Sequence, residues 1–202
     1  MPNADVLKIV FEDDHLLVVD KPSGMPSQPA KTAGAPSALD LALAHAPAIC
    51  ATRSRNPHAP AEHGLVHRLD VETSGLLVFA KSNFVLDRLL EQWTTGAVVK
   101  IYRALVPPAP HPTLPWTIAI PIAHHPKSAR RMVALTAPNL SHRGNPQHAR
   151  TTLLARASGM EICATLRALN PTLPHIEARI QITTGFRHQI RCHLAAVDLP
   201  IL

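Results

Sequence analysis

The residue best placed to do chemistry is Asp70. It lies in a short polar segment between two apolar runs, where a strand end can present a side chain to a cleft. Arg68 stands two positions before it, and His67, Thr73 and Ser74 are close in sequence. A guanidinium beside a carboxylate favours its charged form, and an ionised carboxylate can act as nucleophile or general base. An aspartate in a polar loop is also an ordinary turn former or cap, and spacing alone favours that reading. Glu62, His63 and His67 place two histidines four apart, but the order is not HExxH and Gly64 opposes a helix there. His124 with His125, and His188 with His193, lack a companion ligand set, so no metal is expected. A glycine-rich phosphate loop and a GxSxG elbow are absent.

These residues need elements to hold them. Residues 7–11 and 16–19 read as short strands around an acidic turn, and Lys21, Pro22, Ser23 and Gly24 then open a loop. Ser37 can cap a helix carrying Leu39, Leu41 and Leu43 up to Pro47. Residues 51–63 are polar, without period, and read as a loop. A strand is expected at 76–80. Ser82 then caps a helix whose apolar residues Val85, Leu86, Leu89, Leu90 and Trp93 recur at helical spacing, with Gly96 just past its end. Strand signals return at 98–106, 117–122, 132–136, 151–155, 161–166 and 176–182, and residues 187–197 look helical. The sum is an α+β chain built on a mixed, largely antiparallel sheet with flanking helices.

Composition narrows the partners. The chain has 202 residues, enough to bury a core without staples. Lys and Arg number 20 against 14 Asp and Glu, a net charge of +6 that favours a polyanion. Only 3% of residues are aromatic and Tyr102 is the sole tyrosine, so any base contact rests on very few rings. Three cysteines without a CxxC pair read as reduced thiols. The N-terminus lacks a signal-peptide pattern and no run approaches a membrane span, so a cytoplasmic protein is expected.

Residues 64–78, GLVHRLDVETSGLLV, resemble the catalytic signature of the RluA-type pseudouridine synthases. The resemblance continues in order through DHLLVVDKPSGM at 14–25, KIYRALV at 100–106, Pro121 and Ile122 with Arg131 and Met132, and TGFRHQIRCH at 184–193. It implies the catalytic fold of that family and the isomerisation of uridine to pseudouridine in structured RNA, ribosomal or transfer, without metal or cofactor. It makes Asp70 the catalytic aspartate, attacking either the ribose C1′ or the uracil C6, or acting chiefly as a base. It places Tyr102 against the target uracil and gives Arg191 the part of ion-pairing with the aspartate. Arg68 fills the gap left by the flipped base; His67, Thr73, Leu69 and Ile190 fall in the substrate pocket, the last two as packing residues. Lys127, Arg130, Arg131 and Arg187 are then expected to contact RNA; a basic run is otherwise only a solvated surface.

Two departures stand out. Phe186 occupies the place of an arginine in the family pattern, with Arg187 one position later. The chain stops at Leu202, where the family continues into further strands, so a C-terminally truncated single catalytic domain is expected, monomeric and without an S4-like domain. The rivals are an RNA-binding module of the same fold that lacks turnover and, more distantly, a metal-dependent hydrolase using the histidines.

Overall fold

The computed structural model describes residues 7–29, 35–53, 63–108, 113–128, 130–158 and 176–202. The chain divides into two compact units, Met1–Thr95 and Gly96–Leu202. Both are α+β, as expected, and every ladder among the described residues is antiparallel.

In the first unit β1 (Lys8–Glu12), β2 (Leu16–Lys21) and β3 (Gly75–Ala80) form one sheet in that order. β2 alternates half-buried and buried positions, so Leu17, Val19 and Lys21 share the inward face. Helix α1 (Ala38–His45) starts at Ser37, whose hydroxyl accepts from Asp40 N while the Asp40 carboxylate accepts from Ser37 N, a reciprocal cap. Its Ala38, Leu39 and Ala42 pack with Leu17, Val19, Leu77 and Phe79. Helix α2 (Asn83–Thr94), capped by Ser82, sets Leu86 and Leu90 against Val66 and Ala80. A 3-10 turn, Pro47–Ala51, follows α1, so the expected 51–63 loop begins only after it; residues 54–62 lie outside the described residues.

Residues 64–66 run back along β3. Leu65 bridges Phe79, Ala80 N donates to Gly64 O (2.8 Å) and Val66 N donates to Val78 O (3.0 Å). Gly64 has φ +71, and a Cβ there would stand 2.2 Å from Ala80 O; only glycine allows the two backbones to approach so closely. The segment from His67 to Ser74 is therefore the connection between this short pairing and β3.

The second unit has a four-stranded sheet in the order β4-β10-β9-β5, made of β4 (Lys100–Val106), β5 (Trp116–Ile118), β9 (Thr151–Ser158) and β10 (Ile176–Ile182). A smaller sheet, β7-β6-β8, holds β6 (Ile122–His124), β7 (Met132–Ala134) and β8 (Arg143–Gln147). Helix α3 (Gln189–Ala195) buries Leu194 with Val106, Leu153 and Ile180.

Three expectations change. The single strand at 117–122 is two, β5 and β6, with Pro121 between them, a residue that has no N–H to give a ladder. β8 was not anticipated: Arg-Gly-Asn-Pro-Gln is poor strand material, and it forms as an exposed edge beside β6. The helix at 187–197 shrinks to α3, because Arg187 and His188 form a turn with His188 at φ +53. The expected strand at 161–166 lies outside the described residues.

Candidate active site

Asp70 opens a β-turn: Thr73 N donates to Asp70 O (3.0 Å), with Val71 and Glu72 between. Aspartate favours that first position, so the ordinary turn-forming reading holds for its backbone, and its side chain is half-buried. The turn is gripped from the loop after β2. Ser27 is buried, and its single hydroxyl accepts from Leu69 N (3.0 Å) and donates to Leu69 O (2.8 Å). Gly24 N donates to Val71 O (2.9 Å) and Ser23 Oγ to Glu72 O (2.8 Å). The loop is itself braced by α1, whose Ala38 and Leu39 N–H groups donate to Pro26 O and Ser27 O.

The central clamp is Lys21. Its side chain is completely buried, and Nζ donates to Pro22 O (2.9 Å), Met25 O (2.8 Å) and Val71 O (3.0 Å). An ammonium has three donors, and all three are used. Burial lowers the Lys21 pKa, and the carboxylates of Glu72 and Asp70 oppose that shift. Lys21 has no role in the sequence reading beyond opening a loop. Its signal was its position on β2, four residues after Leu17 on the inward face.

The other candidates in this unit are placed as follows. His67 stacks on Trp93 of α2, ring centroids 4.6 Å apart and 22° from parallel, so the helical spacing of Trp93 conceals a contact to the Asp70 segment. Arg68 is exposed and donates to Gln28 Oε1 (3.3 Å). It makes no ion pair with Asp70, contrary to what their nearness in sequence suggests: its guanidinium is directed to Gln28, in the loop after β2. Leu69 packs partly against the core that α1 covers, and Thr73 is half-buried at the end of the turn.

In the second unit Tyr102 lies on β4 opposite Ile180, and Tyr102 and Ile190 pack against the same core cluster. Arg191 is exposed one residue further along α3, and Arg187 is exposed in the turn before it. That helix is fixed by a buried polar network. His193 Nε2 faces Ile120 O (2.7 Å), so it carries the proton; Nδ1 then accepts from Thr151 Oγ1 (2.8 Å). Gln189 Nε2 donates to Thr151 Oγ1 (3.2 Å) and Arg150 O (2.9 Å), while its Oε1 accepts from Thr184 Oγ1 (2.8 Å) and Phe186 N (3.2 Å). Burial lowers the His193 pKa and raises that of Cys192. Lys127, Arg130 and Arg131 are exposed in the connection between β6 and β7. Among the described residues no group of three His, Cys, Asp or Glu side chains could hold a metal ion, and no helix is long and apolar enough to cross a membrane.

Comparison with known proteins gives one consistent result. The family model described as RNA pseudouridylate synthase matches residues 15–196. The ribosomal large subunit pseudouridine synthase D of Pseudomonas aeruginosa is 31% identical over 196 residues, covering 97% of this chain and 52% of that protein. Its namesake in Nitrosomonas europaea is 34% identical over 198 residues, covering 96% and 48%. The chain thus spans about half the length of the curated relatives it matches. Among solved structures, human RNA pseudouridylate synthase domain containing 1 is similar in fold, with a TM-score of 0.73 at 20% identity, covering 100% of this chain and 69% of that one. Human RNA pseudouridylate synthase domain containing 4 gives a TM-score of 0.64 at 27% identity, covering 96% and 66%.

Proposed function

The chain belongs to the RNA pseudouridylate synthase family, and from that premise we propose that it isomerises uridine to pseudouridine in structured RNA, with Asp70 as the catalytic carboxylate. Large-subunit ribosomal RNA is the substrate to try first, because the bacterial relatives are named for the ribosomal large subunit. The target uridine has to leave its stack to reach the site. The N1–C1′ bond then breaks, the base turns, a C5–C1′ bond forms, C5 loses its proton and N1 gains one. Atoms and electrons balance within the nucleotide, so the reaction needs no oxidant, reductant or second substrate. One carboxylate suffices where a glycosidase uses two, since the departing base itself returns as the nucleophile.

The observation that carries this reading is the Asp70 turn, whose main chain is gripped by Lys21, Ser23, Gly24 and Ser27. Preorganisation of this kind is what a nucleophile or base requires. Tyr102 and Arg191 complete the proposed catalytic set, the first supporting the uracil and the second contributing positive charge. Arg68, His67, Thr73, Leu69 and Ile190 are proposed to contact the target nucleotide. The protein is proposed to act as a cytoplasmic monomer.

Release of tritium from ribosomal RNA carrying 5-tritiated uridine tests the proposal. The parent is expected to turn over in EDTA, and Asp70→Asn to fall to background with an unchanged melting midpoint. An Asp70→Asn variant as active as the parent removes the assigned chemistry. A parent that binds RNA without tritium release makes the chain a binding module.

A further inference from the structure

Charge is unevenly divided along the chain. Residues 1–95 hold 8 Lys and Arg against 11 Asp and Glu, a net −3, whereas residues 96–202 hold 12 against 3, a net +9. Residues 92–160 contain no Asp or Glu at all. This acid-free stretch builds the small sheet β7-β6-β8 and the connection that displays Lys127, Arg130 and Arg131.

That connection is organised by its own polar atoms. His125 N donates to Arg131 O (3.0 Å), Ser128 N to His125 O (3.4 Å), Lys127 N to His125 Nδ1 (3.2 Å) and Arg130 N to Ser128 Oγ (3.4 Å). Across the sheet Arg143 pairs with His124, and its Nε donates to His125 O (3.1 Å), which draws the guanidinium to the base of the same turn. Lys127, Arg130, Arg131 and Arg143 are all exposed, and among the described residues none meets a carboxylate. Of the carboxylates described in this unit, Glu177 is held by Arg103 and Asp198 follows α3. Four like charges gathered without a counter-charge repel one another and focus a positive potential. Three of the four are arginines, whose planar fork fits phosphate oxygens. Helix α3, which carries Arg191, packs against β7 of this sheet.

We propose that the β7-β6-β8 sheet is a docking surface for the RNA sugar-phosphate backbone. Lys127, Arg130, Arg131 and Arg143 engage phosphates without reading bases, as a binding element separate from the chemistry of Asp70. The choice of RNA as the polyanion rests on the proposed function; the surface itself rests on the charge pattern and the fold. It contributes affinity, so its loss raises KM and leaves the rate at saturating RNA intact.

The test is fluorescence anisotropy with a fluorescein-labelled RNA hairpin that contains no uridine, titrated between 50 and 200 mM KCl. The parent's log affinity falls with log salt, and each phosphate contact adds about 0.9 to the slope for duplex nucleic acid. The quadruple variant Lys127→Gln, Arg130→Gln, Arg131→Gln, Arg143→Gln is expected to lose about 3–4 from that slope, so the parent's affinity drops about 10²-fold more across this range than the variant's. Should the quadruple variant fail to fold, the two double variants carry the measurement, each losing about half of the difference. Lys8→Gln with Arg88→Gln, both exposed in the other unit, serves as control and leaves the slope at the parent's value. A quadruple variant with the parent's slope overturns the proposal. So does poly-glutamate that displaces the hairpin as well as an equal charge of unlabelled RNA, which points to an acidic protein instead. Turnover takes no part in this readout: a parent that binds as described yet makes no pseudouridine overturns the activity reading and leaves this surface standing.

Discussion

Replacing Lys21 with methionine keeps the length and apolar stem of the side chain and deletes its ammonium group. Three hydrogen bonds of 2.8–3.0 Å disappear at a position with no solvent exposure. A hydrogen bond to a charged group is worth about 1.5–3 kcal/mol net, but the parent also bears the cost of burying the charge, several kcal/mol per ion. Val71 O keeps Gly24 N as a partner, whereas the carbonyls of Pro22 and Met25 lose their lysine donor. Each such loss costs about 1–3 kcal/mol. The balance is a destabilisation of about 3 kcal/mol, which at 2–4 °C per kcal/mol lowers the melting midpoint by about 6–12 °C.

The catalytic consequence is separate from the stability loss. Without the Nζ contact to Val71 O the turn that starts at Asp70 is held at fewer points, and a displacement of about 1 Å costs on the order of 10²-fold in rate. Thermal melts by circular dichroism, combined with kcat and KM from tritium release at a temperature well below the variant's transition, distinguish the two effects. The expectation is a kcat about 10²-fold lower with KM changed by less than about threefold. A purely structural lysine lowers the midpoint and leaves kcat of the folded protein alone. A Lys21→Met variant with the parent's kcat refutes the positioning argument, and one that also melts with the parent refutes the energetic argument.

Two further outcomes are expected. Gly64→Ala forces a Cβ to within 2.2 Å of Ala80 O at φ +71 and should cost at least about 3 kcal/mol, whereas Gly24→Ala, with φ +86 and nothing within 4 Å, should cost about 1 kcal/mol; urea unfolding checks both, and equal costs at the two sites contradict the close-approach argument. His193 is held neutral in the fold and burial lowers its pKa, so below the ordinary histidine range the unfolded chain takes up a proton that the native chain does not. Stability is therefore full near neutrality and falls as the pH drops; His193→Gln should flatten the decline in urea midpoint between pH 7.5 and 5.5, and parallel profiles for parent and variant disprove the assignment.

Much of the fold is legible because burial imposes a period. The short apolar run Leu-Leu-Val-Val, bounded by polar residues, marks β2, and Ser82 followed by Val85, Leu86, Leu89, Leu90 and Trp93 marks α2 from cap to end. What stays hidden is held by main-chain geometry or by contacts distant in sequence. Lys21 continues the buried face of β2, but a charged residue there reads as the strand's end until the three carbonyls that receive it are seen. β8 carries no strand signature because its pairing with β6 is an edge contact. The Asp70 segment is recognisable by its residue order. The partner of Arg68 is not, since Gln28 lies 40 positions away.

The way the Asp70 turn is held has a consequence for how the protein tolerates change. Lys21, Ser23, Gly24 and Ser27 all close on peptide groups, those of Leu69, Val71 and Glu72, and none of these contacts depends on which side chains those three residues carry. The turn's side chains are thus separable from its backbone. Asp70→Asn, nearly isosteric and leaving every one of these hydrogen bonds in place, should abolish chemistry at a smaller cost in stability than Lys21→Met, which should reduce both. If the carboxylate itself held the turn, Asp70→Asn would destabilise the first unit as much as Lys21→Met does. Equal melting losses in the two variants would therefore move Asp70 from the chemistry to the scaffold.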